Sequence, residues 1–180
     1  ALAQDKLSLS TYGKPDGTVF INYDDEILTA YPFTQNVITY SLENENAMYF
    51  AKDITITENA GLQFTIVDRP AGEEHRAEVF VPGRHNVLNA VSAYAVGKAL
   101  KLKPEEILSG ISAYRPAGMR QNIIHPCGYN IFADCYNSSL LAIENTLSAM
   151  DDILVPSNGR RIAVLGDILD LGDISEETHR

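Results

Sequence analysis

The sequence predicts an α/β fold, and three patterns along it carry that prediction. A continuous apolar run, Val19-Phe20-Ile21, leads into the polar Asn22-Tyr23-Asp24-Asp25, as in a buried strand that delivers polar groups at its C-terminal end. Three short segments rich in β-branched or aromatic residues, Asp53 to Thr57, Leu62 to Val67 and Ala77 to Val81, are separated by Gly and Pro turns and predict an antiparallel meander attached to the main sheet. From Asn86 to Leu100 the apolar period changes, with Val87, Leu88, Val91 and Ala95 on one helical stripe.

The remaining elements follow the same logic. Leu2, Leu7 and Leu9 among polar neighbours read as a short helix ending near Thr11, before a turn at Lys14-Pro15-Asp16-Gly17. Val37 to Tyr40 repeats the strand signal. Pro104 with Glu105 and Glu106 opens a helix carrying Ile107, Leu108 and Ile111, because proline has no amide hydrogen to lose at the first helical position and acidic residues there face the positive end of the helix. Arg115-Pro116-Ala117-Gly118 interrupts helix and strand alike and sets a boundary, with residues 1–115 as one unit and residues 116–180 as the incomplete beginning of a second. In that second unit Tyr129 to Ala133 reads as a strand, Leu140, Ile143, Leu147 and Met150 as a helix face, and Ile162 to Leu165 as another buried strand. This β-α-β order implies a parallel, Rossmann-like sheet that has only begun. The chain opens on Ala1 and closes on Thr178-His179-Arg180 without a terminating signal, so it is read as an internal segment.

Composition narrows the function classes. With 45% hydrophobic and 21% charged residues among 180, the chain is of ordinary globular type. Its formal net charge of −10 opposes attraction to nucleic acid or to an anionic membrane surface, and neither is expected as a partner. No apolar run approaches the roughly 20 residues that span a bilayer, and Ala1 to Lys6 lack a signal-peptide pattern. A cytoplasmic location is expected. Cys127 and Cys135 have no CxxC neighbour and no histidine cluster at zinc spacing, so both are read as reduced thiols.

Three runs have the makings of a site. In Gly83-Arg84-His85-Asn86-Val87-Leu88-Asn89, at a strand-to-helix junction, two asparagines three residues apart share one face of the first helical turn. Such an amide offers a donor beside an acceptor, which matches the N6 and N7 edge of adenine. On the residues alone the plainer reading is favoured, with Asn86 as an N-cap and Asn89 as a solvated first-turn residue. Asp134 directly follows the strand ending at Ala133, where ligands of open parallel sheets bind, and a carboxylate there can accept hydrogen bonds from both hydroxyls of a ribose. It reads equally as a turn-fixing residue, with Ser138 or Ser139 capping the next helix. Gly166-Asp167-Ile168-Leu169-Asp170-Leu171-Gly172 places further acids at the end of the second expected strand. The sequence has no GxxxxGK[ST] phosphate loop and no Gly-x-Ser-x-Gly elbow, and its four histidines form no catalytic dyad.

In order and spacing, Pro15-Asp16-Gly17 before Asn22-Tyr23-Asp24-Asp25, Gly83-Arg84-His85-Asn86 with Asn89, Asp134-Cys135-Tyr136-Asn137, and the Gly166 to Gly172 run together resemble the Mur ligases. Within that family the last two runs are most similar to the branch that joins D-alanyl-D-alanine to UDP-N-acetylmuramoyl-tripeptide. The resemblance implies an ATP-dependent ligase of peptidoglycan precursor synthesis with three domains. Residues 1–115 would be the second half of the central, ATP-binding domain, and residues 116–180 the beginning of the Rossmann-like C-terminal domain. It implies ATP and Mg2+ as cofactors, activation of the peptide carboxylate as an acyl phosphate, and attack by the incoming amine. With the phosphate-handling part missing, this segment alone is expected to be inactive.

Position by position, the resemblance makes Asn86 and Asn89 adenine contacts, Arg120 the linker arginine that reaches the nucleotide, and Asp134 the ribose carboxylate. Lys6 falls where the family has a lysine carboxylated by carbon dioxide that helps hold magnesium, and a plain surface lysine on a frayed helix is the competing view. The chain departs from the family at Ser138-Ser139-Leu140, where Ala-Asn-Pro is usual, and at Met119, where a glycine usually precedes the arginine. Folylpolyglutamate and cyanophycin synthetases share the implied fold, and a non-catalytic nucleotide-binding module that lost its phosphate loop is the reading from another class.

Overall fold

A computed structural model describes the chain apart from residues 1, 58, 59, 154, 156, 157, 170 and 180. It opens with helix α1 (Leu2–Thr11), strand β1 (Thr18–Asn22), a short helix α2 (Glu26–Ala30) and strand β2 (Asn36–Ser41). The meander β3 (Tyr49–Ile56), β4 (Leu62–Asp68) and β5 (Glu73–Val79) follows, then the consecutive helices α3 (Arg84–Ala99) and α4 (Pro104–Ala113). These strands form one five-stranded sheet in the order β1-β2-β3-β4-β5. The first three are parallel and the last three antiparallel. The α/β class and the meander are therefore as the sequence predicts. The β3–β4 register shifts between Lys52 and Thr55, where Asp53 takes φ 54°, the signature of a bulge that bends the strand.

Period explains the packing. Along β4, Leu62, Phe64 and Ile66 are buried and alternate with the more exposed Gln63, Thr65 and Val67. The inward row meets Val87, Ala90, Val91, Tyr94 and Ala95 of α3, which with Ile107 and Ile111 of α4 complete the core. At the α3–α4 contact, a Cβ added to Gly97 would lie 2.7 Å from Ile107 Cγ1, so the absence of a side chain is what lets α4 approach. The inward row ends on a carboxylate, Asp68, which is fully buried. It receives the Lys98 ammonium at 3.0 Å, the Tyr94 hydroxyl at 3.3 Å and the Ala71 amide at 3.0 Å.

α2 was not legible as a helix in the sequence. Asp25 caps it, accepting from the amides of Ile27 at 2.9 Å and Leu28 at 3.1 Å. Asp24 beside it binds the Ser41 hydroxyl and the amides of Leu42 and Asn44, tying the end of β1 to the loop after β2.

Beyond the linker lie β6 (Asn122–Ile124), β7 (Ile131–Ala133), α5 (Leu140–Asp152), a 3-10 turn (Gly172–Ile174) and α6 (Ser175–Thr178). Here the structure departs from the β-α-β reading. The strand predicted from Tyr129 to Ala133 is shorter and pairs antiparallel with β6, outside the main sheet. Ile162 to Leu165 is not a strand, and Val164 is 92% exposed. A local hairpin closes a short loop, whereas a parallel ladder needs a crossover and a neighbour to bury against. Among the described residues no strand pairs with 162–165. The predicted α5 stripe is likewise largely solvated at Leu140 and Leu147, and among the described residues of α5 the buried one is Ala149. Asp167 accordingly stands at no strand end, and Asp170 lies outside the described residues. Among the described residues no helix is long and apolar enough to cross a membrane.

Candidate nucleotide site

Three segments distant in sequence meet at the start of α3. The first is Pro82-Gly83, which turns the chain from β5 into the helix. Gly83 occupies the N-cap position with φ 92°, and a Cβ there would lie 2.5 Å from the His85 ring and 3.2 Å from Ala149 of α5. Both conformation and crowding require glycine. The cap position thus belongs to Gly83, and Asn86 is not the N-cap: it sits within the first turn, 8% exposed, its side chain turned back to donate to the Pro82 carbonyl at 2.7 Å.

The second segment, Met119-Arg120-Gln121, follows the Arg115 to Gly118 break after α4. Gln121 adopts φ 49°, a left-handed conformation that costs a residue with a Cβ on the order of 1 kcal/mol. Its Oε1 lies 2.8 Å from Asn86 Nδ2 and 2.8 Å from His85 Nε2. The third segment follows β7. The Cys135 amide donates to the Met119 carbonyl at 2.8 Å, and the Arg120 guanidinium lies over the Tyr136 ring at 3.7 Å, a cation–π contact. Asp134, half-buried, accepts from the Thr146 hydroxyl of α5 at 2.7 Å.

Asn86, Arg120 and Asp134 thereby belong to one connected neighbourhood. Asn89 is on the same helical turn but exposed, so the two asparagines do not present equivalent amides. Ser139 has a plain structural role, its hydroxyl accepting from the Ala142 amide at 3.2 Å as the N-cap of α5. Lys6 stands apart. It is exposed and lines an open groove of about 550 Å³ shared with Ser10, Thr18, Phe20, Phe33 and Gln35. No carboxylate is among the described residues lining that groove. Magnesium prefers several hard oxygen ligands, so the residues here do not by themselves fit a metal ion.

Two features had no counterpart in the sequence reading. Gln121 belongs to no motif, and only the fold brings it to Asn86. Asp68, Glu73 and His75 place their ligand atoms within 4.8 Å of one another, but Asp68 already neutralises Lys98. The hydrogen bond to Asp68 raises the Lys98 pKa, and burial first, then the Asp68 charge, pushes the Tyr94 phenol well above its usual range. That arrangement is a buried ion pair.

Residues 1–97 match the Mur ligase middle domain. The chain belongs to the Mur ligase family. Within it, the chain is 32% identical, over 180 residues, to the UDP-N-acetylmuramoyl-tripeptide–D-alanyl-D-alanine ligase of Bacillus subtilis strain 168, covering 99% of this chain and 37% of that protein. Crystal structures of MurF share the fold: the enzyme from Acinetobacter baumannii superposes with a TM-score of 0.85 at 24% identity over 99% of this chain and 38% of its own. That from Thermotoga maritima, in complex with ADP, gives 0.83 at 18% identity over 98% of this chain and 39% of its own. The chain thus spans about 37% of the length of the curated relatives it matches.

Proposed function

We propose that this chain is the adenosine-holding segment of a cytoplasmic, ATP-dependent ligase that joins D-alanyl-D-alanine to UDP-N-acetylmuramoyl-tripeptide in peptidoglycan precursor synthesis. In this reading residues 1–115 are the later part of the central domain and residues 116–180 the start of the C-terminal domain. The observation that carries it is the meeting of the α3 start, the linker and the end of β7, through Asn86–Gln121, Cys135–Met119 and Arg120–Tyr136. The names of the relatives supply the substrates.

The division of labour follows from the residues present. Asn86, with Asn89 on the same helical turn, meets the base, and Asp134 meets the ribose. Asp134 uses one carboxylate oxygen on Thr146, which fixes its rotamer and leaves the other to accept from a hydroxyl. Arg120, held over the Tyr136 ring, carries a fixed positive charge toward the nucleotide. The residues here supply neither a phosphate loop nor a complete magnesium site, so acyl-phosphate formation belongs to groups outside this chain. Lys6 would supply an oxygen ligand to that chemistry only if it were carboxylated.

The test is kinetic. In the full-length protein, Asn86→Ala and Asp134→Ala each raise the KM for ATP by about tenfold, as for the loss of one or two hydrogen bonds to a bound group, while the KM for the UDP-linked peptide stays within about twofold. An unchanged ATP dependence in both variants rejects the assignment.

A further inference from the structure

We propose that Gln121 is a positioning residue that turns Asn86 into an acceptor-only reader of the base, so that the pocket takes a 6-amino purine and rejects a 6-oxo purine. This rests on the adenine reading above and specifies how the choice is made.

The orientation of the Asn86 amide is fixed by chemistry. The Pro82 carbonyl, 2.7 Å away, can only accept, so the group facing it must be the NH2. The second hydrogen of that NH2 goes to Gln121 Oε1 at 2.8 Å. Were Gln121 turned over, two NH2 groups would face each other, so the orientation of Asn86 dictates that of Gln121. In the tautomer with hydrogen on Nε2, His85 donates to the same Gln121 oxygen at 2.8 Å and secures it further. The Asn86 Nδ2 to His85 Nε2 approach of 3.1 Å is then a contact between two committed donors.

Both hydrogens of the Asn86 amide are therefore spent inside the protein. Its Oδ1 has no hydrogen-bond partner among the described residues and is not sealed from solvent, although the residue as a whole is only 8% exposed. What remains to a ligand is one oriented acceptor. An exocyclic amine donates to it. A carbonyl at the same position sets oxygen against oxygen, with no amide hydrogen available for rescue. The sequence alone suggested a donor and an acceptor side by side, and the fold removes the donor.

Steady-state kinetics of the full-length protein with ATP and ITP, which differ at that 6-position, test the proposal. The unaltered protein is expected to favour ATP by at least about tenfold in kcat/KM. Gln121→Ala, and Gln121→Met as a variant of similar volume, release one Asn86 hydrogen to donate to a 6-oxo group, so the preference narrows by about tenfold. The change should lie in KM rather than kcat. Gln121→Glu keeps an acceptor oxygen and retains the preference. If Asn86→Ala alters the ATP to ITP ratio while Gln121→Ala and Gln121→Met leave it as it was, the positioning role is overturned and the base contact stands. If Asn86→Ala changes neither KM nor the ratio, the adenine reading itself fails.

Discussion

The Lys98 ammonium lies 3.0 Å from the carboxylate of Asp68, an ion pair in which the acid has no exposed surface and the lysine side chain is 22% exposed. It joins the end of β4 to the last turn of α3, and Tyr94 adds a hydroxyl to the same carboxylate. Removing one partner leaves a buried charge without compensation, a loss of about 3 kcal/mol. Lys98→Met is therefore expected to lower the stability by that order in a urea titration, and Tyr94→Phe by about 1 kcal/mol. The double variant Asp68→Asn/Lys98→Met should lose less than Lys98→Met alone, since no unpaired charge remains.

The same pair gives a pH dependence with a definite sign. Lys98 is raised above its ordinary value chiefly by its hydrogen bond to Asp68, and Tyr94 is raised chiefly by burial. The native state thus holds both protons more tightly than the unfolded chain does. Their contribution is complete at neutral pH and is lost as pH climbs past about 10. Melting temperatures measured from pH 8 to 11.5 should fall at the alkaline end, and Lys98→Met should flatten that fall.

Gly97 is expected to tolerate no side chain. Gly97→Val drives two methyl groups into Ile107 of α4 and should cost about 2 kcal/mol, overpacking outweighing the gain of about 0.5 kcal/mol in helix propensity. Combining it with Ile107→Ala should restore part of the loss relative to the sum of the single changes, which a double-mutant cycle measures.

Calorimetry of the 180-residue chain with ATP and magnesium should give weak binding or none, because much nucleotide affinity comes from a phosphate loop that this sequence lacks. Micromolar affinity would show that the residues of this chain suffice alone.

For Lys6, the expectation follows from charge. An ammonium beside magnesium would repel it, and carboxylation would turn the side chain into an anionic oxygen ligand. In the full-length protein Lys6→Ala should abolish activity, with partial recovery on adding a short carboxylic acid. Full activity in that variant would return Lys6 to the role of a surface residue.

The sequence by itself determined the α/β class, the meander, helices α3 and α4 and the Pro and Gly break after α4, because each rests on local rules. Apolar periodicity switches at Asn86, Pro104 starts a helix, and the Gly and Pro turns separate β3 to β5. It also singled out Asn86, Arg120 and Asp134 as candidates, from the order and spacing of the motifs that hold them. What the tertiary structure decided is what those residues touch. Which hydrogens of Asn86 are spent depends on Gln121, 35 residues away, and Asp68 becomes a buried anion only because α3 brings Lys98 across the sheet. The run Ile162 to Leu165 shows the converse limit. Its apolar pattern is that of a strand, but a strand exists only where a neighbour completes its hydrogen bonds, and no sequence window contains that neighbour.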